Sequence, residues 1–265
     1  MSDGVEIAGF ARALILACGA ELQKRRQAAA FEVRQKDGHA DVVTDDDVWA
    51  QDYLATRIRA KYPDHAILSE EGLFVEGESE WMWVIDPIDG TTNYCRLGKC
   101  YAISLGIRRA GAPAHGLVLD VFENRLHEAA FSRPAPDDAH ETMEQSLLHI
   151  SDRTMRYLLS EGVDPLALCA RFQGVRHLGC ASLELCEVAE ARGGVYMSRL
   201  KAWDYAAAEC VLADCGMRMW RAPLPGGEFV LACRTEDMFE TLRRMLPAPL
   251  RMLFRENGGN VSAEN

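Results

Sequence analysis

Two aspartates stand three residues apart in the stretch WVIDPIDGTT, Trp83 to Thr92, behind an apolar run. Pro87 and Ile88 lie between Asp86 and Asp89, and Gly90, Thr91 and Thr92 follow. Proline restricts the backbone so that both carboxylates and the carbonyl of Ile88 can converge. Gly90 lets a ligand approach the main chain. A helix opening near Thr91 would offer free amides to an anion. Carboxylates and a carbonyl are hard oxygen ligands, suited to Mg²⁺, Mn²⁺ or Ca²⁺ rather than zinc. A hard cation beside an anion is what phosphoryl chemistry requires. The plainer reading is a solvated proline turn.

Three further acidic clusters sit at the edges of elements: DVVTDDD at Asp41–Asp47, SEEG at Ser69–Gly72, and AWDYAAAE around Asp204. Each has a local explanation. Asp45, Asp46 and Asp47 suit a helix N-terminus, and Thr44 with Asp47 resembles a capping box. SEEG is a turn composition. Asp204 fits the first turn of a helix whose Trp203 packs in the core.

Other chemistries find little support. There is no G-x-S-x-G, Walker A or G-x-G-x-x-G motif. The seven histidines show no H-x-x-x-H spacing and read as surface or turn residues. Nine cysteines without a C-x-x-C pair read as reduced, mostly buried thiols of a cytoplasmic protein, not a zinc site. A net charge of -11 disfavours nucleic acid as the main partner. Lys24-Arg25-Arg26 is the only basic cluster and reads as a solvated helix end. The N-terminal stretch is not patterned as a secretory leader. No run approaches the roughly 18 apolar residues of a membrane span, so no membrane partner is expected.

The elements that must position these groups are legible from periodicity. The length, 265 residues, suits one large domain or two tightly joined ones. Ile7, Phe10, Leu14, Cys18 and Leu22 predict an amphipathic first helix. Thr44 caps a second, over residues 45–62, with Trp49 and Tyr53 on one face. HAIL and WMWVI read as short buried strands, and YAISLGI, AHGLVLDV and RLHEAAF as an antiparallel meander. The polar segment Ser132–Gln145 reads as an exposed loop or join, dividing an N-terminal part, 1–133, from a C-terminal part, 146–265. Beyond it the pattern predicts helix 164–172, strand 175–178, helix 181–191, strand 194–197, helix 203–215, strands 217–220 and 228–233, and a last helix from Thr235. The tail RENGGNVSAEN, from Arg255, reads as frayed. The alternation predicts layered α/β packing.

WVIDPIDGTTNY and AWDYAAAECVLADCGM resemble the two signatures of the inositol monophosphatase superfamily, and DVVTDDD, SEEG and GCASLELCEVAEARGGVYM match between and before them in order. The resemblance covers nearly the whole chain. It implies an αβαβα sandwich of the inositol monophosphatase and fructose-1,6-bisphosphatase type. It also implies hydrolysis of small phosphate monoesters with Mg²⁺, two or three ions, Mn²⁺ being an alternative. By position it assigns Glu70, Asp86, the Ile88 carbonyl, Asp89 and Asp204 as metal ligands. Thr91 and Glu70 would orient the attacking water, with Asp47 and Lys36 more peripheral. The Gly90 and Thr91 amides would hold phosphate, and Gly179, Cys180 and Ala181 would contact substrate. The implied reaction is in-line attack by a metal-activated water without a covalent enzyme intermediate, in a homodimer.

Two departures bear on the substrate. The family pattern usually runs GTTNF and then a His-Gly pair; here it is NYCRLGKCY. An acid that meets sugar-like hydroxyls usually lies where this chain has Met197, a poor acceptor. Arg199, Arg96 and Lys99 could instead meet a second anionic group, or be solvated surface charge. The substrate therefore stays open among inositol phosphates, histidinol phosphate, fructose 1,6-bisphosphate or another sugar phosphate, and 3′-phosphonucleotides. The contrasting possibility is a regulatory binding protein with vestigial activity.

Overall fold

The computed structural model describes residues 2–28, 31–35, 42–131, 142–190 and 194–256. The chain packs as two units. The first gathers Met1–Phe131, Gly179–Leu183 and Trp203–Val211; the second gathers Ser132–Leu178, Glu184–Ala202 and Leu212–Asn265. Division is therefore not into two consecutive stretches. Two short segments from the later half of the sequence pack with the first unit.

The first unit opens with helix α1 (Ser2–Ala28), the hairpin β1 (Val33–Gln35) and β2 (Val42–Thr44), and helix α2 (Asp45–Lys61). Strands β3 (Ala66–Ser69), β4 (Phe74–Val75) and β5 (Trp81–Asp89) precede the short helix α3 (Thr91–Arg96). The meander β6 (Ala102–Arg109), β7 (Ala112–Asp120) and β8 (Arg125–Ala130) completes a sheet ordered β4-β3-β5-β6-β7-β8. Only β3 and β5 run parallel. The expected amphipathic stripe of α1 is present: Ile7, Leu14, Cys18 and Leu22 are buried with Leu54 and Ile58 of α2 against Trp83, Ile85, Ile103 and Leu105 of the sheet. Helix α2 starts at the predicted cap. Thr44 accepts from the amides of Asp46 and Asp47, and the Asp47 carboxylate accepts from the Thr44 amide, a reciprocal cap of about 1 kcal/mol. Trp49 and Tyr53 meet with tilted rings but are only half-buried; Ala50, Leu54 and Ile58 form the core face.

The second unit is built on strand β9 (Leu147–Ile150), helices α4 (Asp152–Ser160) and α5 (Pro165–Cys169), strand β10 (Gly174–Arg176), helix α6 (Ala181–Glu190) from Glu184 onward, its first residues belonging to the first unit, and strand β11 (Gly194–Leu200). Helices α7 (Ala202–Tyr205) and α8 (Ala208–Asp214) follow in the chain, with Trp203–Val211 packing in the first unit; the second unit continues with β12 (Arg218–Leu224), β13 (Gly227–Cys233), α9 (Glu236–Met245), α10 (Ala248–Arg251) and β14 (Arg255–Glu256). Its sheet runs β10-β9-β11-β13-β12-β14. Leu148, Ile150, Val195, Met197, Phe229 and Leu231 meet Leu158, Met238, Phe239 and Leu242 in its core. β9 and α4 are absent from the sequence reading. β9 is only four residues long, and α4 is capped by Ser151, which accepts from the Thr154 amide. Most of the segment Ser132–Gln145 and the tail after Glu256 lie outside the described residues; the first two residues of the expected frayed tail, Arg255 and Glu256, instead pair with β12 as β14.

The single helix expected over 203–215 is broken into α7 and α8. The reason is packing against the meander. A Cβ on Gly106 would stand 2.7 Å from the Cβ of Ala206, and one on Gly116 would overlap the carbonyl of Ala207. Two glycines on adjacent strands thus admit the backbone of Ala206 and Ala207. Gly116→Ala should lower stability by about 1–3 kcal/mol, because backbone and not a flexible side chain must move. Chemical denaturation against wild type measures this, and a change below about 0.5 kcal/mol would contradict it.

Candidate active site

β5 is buried from Trp83 to Asp89 and carries both aspartates inside the strand, not beyond its end as expected. In a regular strand, residues three apart face opposite sides. Here Asp86 pairs with Ser104 and Asp89 with Ala102, so three steps on β5 match two on β6. This bulge at Pro87–Ile88 restores both carboxylates to one side. Proline, which has no N–H to leave unpaired, fits that position.

Glu70 follows the neighbouring parallel strand. Ser69 pairs with Ile85, and the Glu70 amide donates to the Ile85 carbonyl at 3.1 Å, which sets Glu70 beside Asp86. Asp204 lies in the first turn of α7, and the preceding carbonyl, of Trp203, accepts from Ser104 at 3.4 Å. Trp203 itself is half-buried, not a core residue. Glu209 of α8 is fully buried and paired with Arg108 of β6 at 3.0 Å, which ties this helical segment to the sheet.

Asp86 is 1 % exposed. Its Oδ1 has no hydrogen-bond partner among the described residues. Burial first, then the charges of Glu70, Asp89 and Asp204 and a hydrogen bond with Glu70, hold its carboxyl well above the ordinary carboxylate range. Asp89 is also pushed up by burial, but hydrogen bonds resist the shift. Its Oδ1 accepts from the Ala181 amide at 3.1 Å and its Oδ2 from the Ser182 amide at 2.6 Å, so it caps α6 from ninety-odd residues away. The side chains of Ser182 and Cys180 donate to it as well. Ser182 carries no signal in the sequence; only the fold reveals it.

Asp47 is buried. Its Oδ2 accepts from the Thr44 amide at 2.7 Å and hydroxyl at 2.5 Å; its Oδ1 lies 3.0 Å from Thr91 Oγ1. Burial outweighs these bonds and pushes its carboxyl up to about 7. The Thr91 hydroxyl is also 3.0 Å from the Ile88 carbonyl, so its one proton serves one of two acceptors.

Gly90 adopts φ 84°, and a Cβ there would stand 3.1 Å from the Gly179 carbonyl and the Cys180 Cβ. Gly90, Thr91, Gly179, Cys180 and Ala181 are thus brought together with Glu70, Asp86, Asp89, Asp204 and Asp47 in the first unit. Arg199 lies in the second unit, its guanidinium 4.8 Å from the Tyr157 ring centroid. Arg96 and Lys99 are exposed. Lys36 lies outside the described residues.

Two expectations are corrected. Arg25 and Arg26 are not a solvated helix end: Arg25 binds the buried Asp46, and Arg26 donates to the Tyr94 carbonyl. A buried acid requires such a partner. Nor are all the histidines on the surface. His65, His127 and His149 are buried, and His65 Nδ1 accepts from Trp83 Nε1 at 3.0 Å.

Among the described residues, no three His, Cys, Asp or Glu side chains form a closed metal cage. The donor set nonetheless fits a hard divalent cation. It consists of carboxylates and a carbonyl, and includes a buried oxygen without a hydrogen bond.

Comparison with known proteins identifies the family. A model of the inositol monophosphatase family matches residues 3–234. Inositol-1-monophosphatase of Bacillus subtilis is 32% identical over 225 residues, 81% of this chain and 84% of that protein. Nus factor SuhB of Pseudomonas aeruginosa is 32% identical over 207 residues, 70% of this chain and 74% of that protein. The inositol monophosphate-bound crystal structure of SaIMPase-II superposes with a TM-score of 0.74 at 25% identity, covering 91% of this chain and 97% of the other. The mixed α/β fold is the one these structures share.

Proposed function

Because the chain belongs to the inositol monophosphatase family, we propose that it is a Mg²⁺-dependent phosphomonoesterase acting on a small phosphorylated metabolite, of the inositol phosphate or sugar phosphate kind. The observation that carries this is the Asp86 carboxylate, buried, short of a hydrogen bond and pressed by three other acids. Such crowding is costly without a cation to offset it.

In this reading Glu70, Asp86, the Ile88 carbonyl, Asp89 and Asp204 hold two or three Mg²⁺ ions, with Mn²⁺ as a substitute. Bound there, the metal supplies Lewis acidity and an acidified water, and turns an acidic pocket into an anion site. The chain's own groups do the rest. Asp47 accepts the Thr91 proton, which leaves the Thr91 oxygen free to accept from water. Glu70 provides a second acceptor for that water. The α6 amides hold Asp89 in place. The amides of Gly90 and Thr91 and the segment Gly179–Ala181 meet the substrate. All nine cysteines are free, which suits a cytoplasmic setting.

A second reading, a binding protein with vestigial turnover, is favoured by the relatives named Nus factor SuhB. Phosphate release from a panel of monoesters, with Mg²⁺ and with EDTA, separates the two. The expected result is release that EDTA abolishes and added Mg²⁺ restores, with one panel member preferred. Folded protein that binds Mg²⁺ but releases no phosphate would support the second reading instead.

A further inference from the structure

Asp46, beside Asp47, is 2 % exposed and plays no part in the chemistry above. Both its oxygens are taken. Oδ1 accepts from Arg25 Nε at 2.5 Å, and Oδ2 from the Tyr94 hydroxyl at 2.5 Å. The Arg25 guanidinium lies 4.7 Å from the Trp49 ring centroid. Arg26 Nε donates to the Tyr94 carbonyl at 2.6 Å and lies over the Phe31 and Tyr94 rings. The end of α1, the first turn of α2 and α3 all meet at this cluster.

Capping does not explain Asp46, since Thr44 and Asp47 already cap α2. A buried carboxylate is costly unless paired. Removing the Tyr94 hydroxyl would strip the buried Asp46 of one of its two partners. Burial and the neighbouring Asp46 push the Tyr94 phenol far above the ordinary tyrosine range, which keeps it a donor.

Two hydrogen bonds cross from the first turn of α2 to α3. Asp47 meets Thr91 and Asp46 meets Tyr94. The acids are adjacent on α2, and their partners are about one turn apart on α3. Fixing the buried bond therefore fixes where the other one falls.

We propose that Arg25, Asp46 and Tyr94 form a positioning clamp that sets the α2–α3 spacing at which the Thr91 hydroxyl meets Asp47. The clamp rests on the hydrolytic reading for its consequence, and it acts through Thr91 without touching substrate.

Tyr94→Phe tests this, with Asp46→Asn as the second variant should the first fail to fold. Two properties are read: kcat and KM for Mg²⁺-dependent phosphate release, and amide hydrogen exchange along the chain. The expected result is kcat reduced roughly tenfold with KM nearly unchanged, since a displaced group costs rate more than binding. Exchange should quicken in residues 44–47 and 91–96 and stay as in wild type over residues 102–130. Wild-type kcat in a variant that merely melts earlier would overturn the clamp, as would exchange that quickens uniformly. If wild type releases no phosphate, the hydrolytic reading fails and exchange alone decides. Local quickening in the two named segments then upholds the clamp, and its absence overturns it.

Discussion

Asp86→Asn is expected to abolish Mg²⁺-dependent phosphate release, by at least about a thousandfold or about 4 kcal/mol, while leaving metal-free protein at least as stable as wild type. The two halves of this result have one cause. Asp86 is buried, one of its oxygens lacks a hydrogen bond, and Glu70, Asp89 and Asp204 all disfavour its charge. An acid whose pKa is raised by folding costs stability as pH rises. Above about 3.9 the unfolded carboxyl ionises freely, whereas the folded one holds its proton, so the unfolded state gains as pH climbs toward the folded value. Asparagine has no such titration. Metal-free variant should therefore melt at or above the wild-type temperature at pH 7, and the gap should narrow toward pH 4. Wild type should gain stability from Mg²⁺, about 2.7 kcal/mol at a hundredfold excess over Kd, and the variant should lose most of that gain. Thermal melts with EDTA and with Mg²⁺, beside the phosphate assay, measure all three. A variant that keeps its turnover, or that melts well below wild type without metal, would remove Asp86 from the centre of the site.

Arg108→Ala should destabilise the protein by about 3–5 kcal/mol, a melting shift on the order of 10 °C for a chain of this size. Arg108 of β6 pairs with Glu209 of α8 at 3.0 Å, and the Glu209 side chain is fully buried while that of Arg108 is 13% exposed. Arg108 also donates to the Gly111 carbonyl in the hairpin turn at 3.0 Å. Truncating the arginine leaves a carboxylate in the interior without its cation, and that orphaned charge carries most of the cost. The control follows from the same physics. Arg108→Met combined with Glu209→Leu removes both charges and should recover most of the loss. Activity should fall with Arg108→Ala too, because α7, which carries Asp204, precedes α8 against the same strands. Urea denaturation of the two variants decides the matter. A single variant within about 1 kcal/mol of wild type would show that solvent reaches Glu209 and that the pair is a surface one.

Where interactions are local, the amino-acid sequence sufficed. The apolar stripe of α1, the Thr44–Asp47 box, the apolar strands of the meander with their turns and the Thr235 cap of α9 all involve residues a few positions apart. Periodicity and capping are short-range chemistry, so they are written in short windows. The acids at 70, 86, 89 and 204 were legible for the same reason, as carboxylates at the edges of elements, and their joint meaning came through resemblance to a family.

Only the tertiary structure decided how they meet. The bulge at Pro87–Ile88 turns Asp86 and Asp89 to one side, and no local pattern distinguishes it from a plain turn. The α6 amides on Asp89, the Tyr94 hydroxyl on Asp46 and the Arg108–Glu209 pair join residues 48 to 101 positions apart. The break between α7 and α8 depends on glycines in two strands far away in sequence. Such contacts are set by which surfaces close on one another, and a linear pattern carries no record of that.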